Sequence, residues 1–256
     1  MKKYHLGEIG FNKNGCEMVI VEYNTSSCIV VEFQDERKTR VKTTYNSFKT
    51  GVVRNPYYPT VCGVGISGNK YQIVKDKRPT KEYNAWIRML NRCFDVTVKR
   101  NQPSYANATC CDEWLLFDNF YEWLHSQPNF EKWYNGKRWA LDKDILIKGN
   151  KRYSPDTCCL VPQRVNCLFL KREAERGLYP IGVGKMKYGF KANCHNPFTG
   201  KDDDLGIFNT VGDAFNAYKM HKEDIIKRFA QIEYDCGNIT RRCFKAMMEY
   251  EVEIDD

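Results

Sequence analysis

The stretch Trp139–Asn166 constrains this chain more than any other. It reads WALDKDILIKGNKRYSPDTCCLVPQRVN. Trp139–Ile147 mixes apolar and charged residues without a proline, which suits a strand. Gly149, Asn150, Ser154 and Pro155 supply turn chemistry. Thr157–Val161 suits a second short strand with Cys, Leu and Val to bury. Pro162 fits the first turn of a helix, where its missing N–H costs nothing. The order is therefore strand, turn, strand, helix.

The type and spacing of Leu141, Asp142, Lys143, Asp144, Gly149, Asn150, Tyr153, Ser154, Pro155, Thr157, Cys158, Gln163 and Asn166 resemble the ββα-metal (HNH-type) core of phage homing-endonuclease-like proteins. The likeness extends upstream through Tyr83, Trp86, Met89, Arg92 and Cys93, then Cys111, Asp112, Glu113, Trp114, Phe117 and Phe120, so it covers residues 83–166. The resemblance implies a phage-encoded protein acting on DNA in the cytoplasm of a bacterial host. It also implies a catalytic set of Asp142, Lys143, Asp144, Asn150 and Asn166. Within that set Asp142, Asp144 and Asn166 would offer oxygen ligands to Mg2+ or another divalent cation.

Cleavage by such a site needs a general base to activate water, and the family uses a His at the end of the first strand. The four histidines are His5, His125, His195 and His221, and none lies in the hairpin. Lys143 stands beside Asp142 instead. A lysine is a poor base near neutral pH unless burial lowers its pKa strongly. Two readings stay open here: a degenerate metal-dependent endonuclease, or a hairpin whose polar residues only fix its turn.

The chain has 256 residues, room for two or three small domains. Its net charge of +8 favours a polyanionic partner, although a merely soluble basic protein would share it. Met1–Gly10 is polar and mixed, so no secretory signal is expected. No apolar run approaches the roughly 20 residues of a membrane span. The 12 cysteines are then reduced thiols of a cytoplasmic protein. They contain no Cys-x-x-Cys. The adjacent pairs Cys110–Cys111 and Cys158–Cys159 could each offer one ligand easily, because neighbours on a strand face opposite ways. Buried small hydrophobes are the expected role, and zinc is not expected.

The fold class expected is α+β and multidomain. Residues 1–60 suggest a small SH3-like antiparallel β-barrel, with strands Cys16–Tyr23, Cys28–Phe33 and Thr39–Tyr45 and with Asn46–Val53 closing it. Pro56–Pro79 reads as a connector of turns. Gly63, Gly65 and Gly68 lack the Lys-Ser/Thr of a P-loop. Residues 80–176 hold the HNH-like core, opening with a helix Thr80–Phe94 capped by Thr80 and a second helix Asp112–Leu124. The aromatic stripe of these helices is expected to be core. Phe169–Gly177 is a charged helix end and linker. Residues 179–235 read as strands Gly182–Lys187, Phe190–His195 and Leu205–Asn209, with a polar loop Asn196–Asp204 and a helix capped by Thr210. Residues 239–256 are a last helix and an acidic tail.

Gly182, Val183, Phe190, Ala192, Leu205, Gly206, Phe208, Thr210, Asp213, Ala214, Ala217 and Tyr218 resemble the Apetala2/ethylene-response-factor type of DNA-binding domain. The likeness implies a three-stranded sheet lying in the major groove of double-stranded DNA, where base edges are distinguishable. Alternation turns Phe190, Ala192 and Cys194 to the helix and Lys191, Asn193 and His195 away from it, with Lys185, Lys187 and Lys201 nearby. These six are the candidate DNA contacts. The alternative is a non-catalytic phage protein that acts on a host protein, such as an inhibitor of host defence, or a transcription regulator.

Overall fold

The computed structural model describes residues 5–170 and 178–254. The chain is mixed α and β, with antiparallel sheets apart from one short parallel pair. Strands β1 (Ile9–Phe11), β2 (Glu17–Thr25), β3 (Cys28–Phe33) and β4 (Arg40–Thr43) form a meander in that order. Period-two alternation buries Met18, Ile20, Ile29, Val31 and Phe33 on one face. Helix α1 (Tyr45–Lys49) covers that face with Phe48. The barrel and its closing strand at 46–53 are therefore corrected: β1 and β4 are the sheet's two edges, and no sheet among the described residues closes. The reason is local. The Thr44 hydroxyl accepts from the Ser47 amide at 3.1 Å and starts a helix where a fifth strand was expected.

The connector after Pro56 is held by its neighbours rather than loose. Gly68 has φ +67°, and a Cβ there would meet the Asp118 carboxylate at 2.2 Å, so only glycine fits. The connector also forms a short hairpin, β5 (Val74–Lys75) with β6 (Arg78–Pro79). Thr80 then caps α2 (Lys81–Phe94) by accepting from the Tyr83 amide. After α3 (Val96–Asn101) and β7 (Thr109–Cys110), the expected single helix 112–124 is two pieces. A 3-10 turn, Asp112–Leu115, is followed by α4 (Phe117–His125). The break comes from Ile66, which donates to Leu115 O at 2.8 Å and accepts from the Phe117 amide at 2.9 Å. That β-like pairing holds Leu116 extended. Helix α5 (Phe130–Asn135) follows. The Lys81 ammonium donates to the carbonyls of Trp133, Tyr134 and Gly136, closing the C-terminal end of α5.

The hairpin is built from β8 (Trp139–Asp142), β9 (Arg152–Tyr153), β10 (Cys159–Pro162) and the short helix α6 (Gln163–Asn166). β8 pairs with β10 in the register Leu141↔Leu160 and Asp142↔Cys159. β9 pairs with β7. The ribbon is buried on both faces. Leu141, Tyr153, Cys158 and Leu160 join the aromatic core of Trp86, Trp114, Phe117 and Phe120. Ala140, Ile145, Cys159, Val161 and Val165 join a second core with Phe215, Ile226 and Met247. The hairpin is thus the shared wall of two cores, and the second core runs across the boundary expected between residues 176 and 179.

The C-terminal sheet is β11 (Val183–Lys185), β12 (Phe190–Asn196) and β13 (Lys201–Phe208), packed on helix α7 (Val211–Asp235). The expected loop 196–204 is instead a tight turn, 197–200, and β13 begins at Lys201. Helix α8 (Arg241–Met248) follows. The tail folds back as far as it is described. Val252 is buried, Lys219 Nζ donates to its carbonyl at 2.7 Å, and Lys148 Nζ reaches Glu253 Oε2 at 2.8 Å. Most of the charged linker (171–177) and the last two residues of the acidic tail lie outside the described residues. No helix among the described residues is long and apolar enough to cross a membrane.

One ion pair ties α6 to α7. Arg164 donates to the buried Glu233 carboxylate through Nε at 2.5 Å and Nη2 at 2.9 Å. Arg164 is half exposed, which weakens the pair, whereas losing it would strand a buried charge. Arg164→Ala is expected to lower the stability of the chain by about 1–2 kcal/mol in urea unfolding, and Arg164→Ala with Glu233→Gln to recover part of it. A silent Arg164→Ala would show that Asn238, which donates to the same carboxylate at 2.8 Å, holds it alone.

Candidate nucleic-acid interface

Four of the five residues expected to be catalytic meet in the hairpin. Asp142 is buried, and its Oδ1 accepts from the amides of Asp144 at 2.9 Å and Ile145 at 2.8 Å. This bends the chain after Asp142 and ends β8 well before the expected Ile147. Lys143 is buried as well, and its Nζ donates to Asp144 Oδ2 and to Asn150 O, both at 3.1 Å. Asn150 closes the loop by donating to Lys143 O at 2.6 Å and Arg152 O at 2.7 Å. Asn166 sits on α6, and among the described residues no hydrogen bond joins its side chain to the other four.

These contacts decide what the cluster can do. Burial, and then the neighbouring Asp144, push the Asp142 carboxyl up to about 6. Its Oδ1 is already spent on two amides. The Lys143 ammonium takes Asp144 Oδ2. As arranged, one oxygen of each carboxylate is held by the hairpin's own donors. No step through a metal follows from this arrangement. Nearby thiols are inert, since burial pushes Cys93 and Cys158 up to about 12.

The C-terminal sheet shows Asn193 and His195 exposed, with Ala192 and Cys194 buried against the helix side. The outer face is nevertheless balanced in charge. Lys191 Nζ meets Asp204 Oδ2 at 2.9 Å and His195 Nδ1 meets Asp202 Oδ1 at 3.1 Å. Three of the six candidates are not gathered on that face. Lys185 is in register with Phe190 and lies over its ring at 4.0 Å. Lys187 lies over the Tyr188 ring. Lys201 pairs with Asn196, whose side chain donates to Asp203 Oδ2 at 2.8 Å; Asp203 in turn binds His221 of α7. Lys201 therefore has the parity of the helix-facing side.

A basic surface missed by sequence reasoning lies elsewhere, at the start of α6. An open cleft of about 450 Å³ is lined by Lys137, Arg138, Gln163, Arg164, Cys167 and Asn238, among others, and among the described residues by no carboxylate. The register of β8 with β10 creates it. Gln163 N donates to Arg138 O at 2.7 Å, which brings 137–138 beside 163–164. Among the described residues Lys137 and Arg138 form no ion pair. The only signal in the sequence was the adjacent Lys137-Arg138, in a segment with no periodicity. Comparison of the chain with protein-family models, with curated proteins and with solved structures finds no match, so both resemblances rest on the residues quoted for them.

Proposed function

We propose that this chain is a duplex-DNA-binding protein of the phage HNH-like kind, acting in a bacterial cytoplasm, whose ββα hairpin serves as scaffold and does not cleave. The observation that carries this reading is the cleft of Lys137, Arg138 and Gln163 at the start of α6, which no carboxylate lines among the described residues. Phosphate contacts supply most of the affinity of such proteins, and unpaired cations on a concave surface supply the contacts. Asn193, exposed on the C-terminal sheet, is the residue of that sheet suited to reading adenine. Asp142, Lys143 and Asn150 are consumed by the hairpin's own hydrogen bonds, which supports binding without cleavage.

The test is a gel series on a short duplex and a supercoiled plasmid, with and without Mg2+ or Mn2+, across a salt range. The expected result is a salt-sensitive shift without nicking, weakened at least tenfold by Lys137→Glu with Arg138→Glu at an unchanged melting temperature. Metal-dependent nicking lost in Asp142→Asn would replace the proposal with an active endonuclease. A second reading, a host-protein partner, is favoured by one observation: Ile9 and Phe11 on the edge strand β1 are each 60% exposed. That reading gains if no duplex shifts even at low salt.

A further inference from the structure

The hairpin β5–β6 is an exposed cationic projection near the cleft, and its details are unusual. Every residue from Val74 to Pro79 is exposed. Only two register pairs hold it, Val74↔Pro79 and Lys75↔Arg78. Its tip is Asp76-Lys77, with φ +51° and +62°. Two successive left-handed residues make the two-residue turn of type I′, which normally demands Asn-Gly. A lysine in that conformation is strained, and the two-residue connection between β5 and β6 imposes it.

The base of the hairpin is fixed. Thr80 N donates to Ile73 O at 3.0 Å and Gln72 Nε2 to Val74 O at 2.8 Å, and α2 begins at the next residue. The arm is therefore presented at a set angle. Lys75, Lys77 and Arg78 form no ion pair among the described residues. Lys75 and Arg78 line a second open cleft, of about 540 Å³, with Asp76, Thr80, Lys81 and Tyr134, so that one carboxylate stands among three cations. Lys81 is bonded to the carbonyls of Tyr134 and Gly136, and Lys137 follows directly. The two clefts thus flank the C-terminal end of α5.

We propose that the β5–β6 hairpin is a DNA-contacting finger that enters the major groove, with Lys75, Lys77 and Arg78 on the bases and flanking phosphates. This inference rests on the duplex-DNA reading above and names a second contact point for it. A two-stranded ribbon fits the major groove of B-form DNA, while the deep, narrow major groove of A-form RNA excludes it.

The test compares wild type, Lys75→Ser/Lys77→Ser/Arg78→Ser, and Lys75→Arg/Lys77→Arg on a duplex DNA and on a duplex RNA of the same sequence, across a salt range. All the substituted side chains are exposed, so melting temperatures should match. Losing three cations that meet phosphates should flatten the log–log salt slope by roughly 2–3, at about 0.9 per phosphate, and weaken DNA binding more than tenfold. The arginine variant should bind as wild type does. Duplex RNA should bind more weakly than DNA. A serine variant with wild-type slope and affinity overturns the finger and leaves the DNA reading standing. Equal affinity for the RNA duplex overturns groove entry. A wild type that binds neither duplex overturns both proposals.

Discussion

Trp86→Ala is expected to lower the stability of the chain by about 3–5 kcal/mol, the range for removing a fully buried tryptophan. Trp86 is 0% exposed, and its indole Nε1 donates to Trp114 O at 2.7 Å. It stacks on Tyr83 with centroids 5.4 Å apart and tilts against Phe117 at 5.5 Å. Truncation would empty the centre of the aromatic core and leave the Trp114 carbonyl without its donor. Trp86→Phe keeps most of the buried ring area and loses the hydrogen bond with a small part of the packing, so its cost should be smaller, roughly 1–3 kcal/mol. Urea midpoints measure both. If the alanine variant unfolds within about 1 kcal/mol of wild type, the core does not have Trp86 at its centre.

The second large effect is at Asp142, and it separates a structural carboxyl from a catalytic one. Asn can accept the same two amide hydrogen bonds, from Asp144 and Ile145, whereas Ala leaves both buried donors unpaired. Asp142→Ala should therefore be less stable than Asp142→Asn by about 2–6 kcal/mol, at about 1–3 for each orphaned donor. The pH dependence has a defined sign. A carboxyl raised from 3.8 to about 6 holds its proton more tightly in the folded state. Its contribution is full below about pH 4 and is lost as the pH rises through about 6. The full loss is of order 3 kcal/mol, at about 1.36 kcal/mol per pH unit. Asp142→Asn should then gain on wild type between pH 4 and 6 and keep a constant margin above that. A margin that does not change across this window would show that Asp142 is ionised throughout, as a metal or substrate ligand would be.

Much of the architecture was legible because its causes are local. Thr80 and Thr210 cap their helices through hydroxyls three residues from the amides they accept. The helical spacing of Tyr83, Trp86, Met89, Leu90, Cys93 and Phe94 marks an apolar stripe, and all of them except Phe94, which is 37% exposed, are buried. The hairpin was readable from Asp142, Gly149, Asn150 and the strand-forming run after Thr157. The run Cys158–Val161 has no polar alternation, the pattern of a strand covered on both faces.

What only the tertiary structure decided are the features made by residues far apart in sequence. The closing strand of the barrel gave way to α1 because a cap outcompeted strand propensity. The finger at 74–79 was hidden because its turn lacks glycine. The polar run 201–204 became a strand because Lys191, His195 and His221 supplied lateral partners for Asp204, Asp202 and Asp203. Asp204 and Asp202 in turn neutralise the sheet face that alternation alone had made basic. Strand register likewise carried Lys137 and Arg138 to Gln163 and formed the cleft. Sequence determines which residues bend, cap and bury locally. Which charges meet, cancel or stay open is fixed by pairing across the fold, because charge at a surface is a sum over neighbours that a linear pattern does not contain.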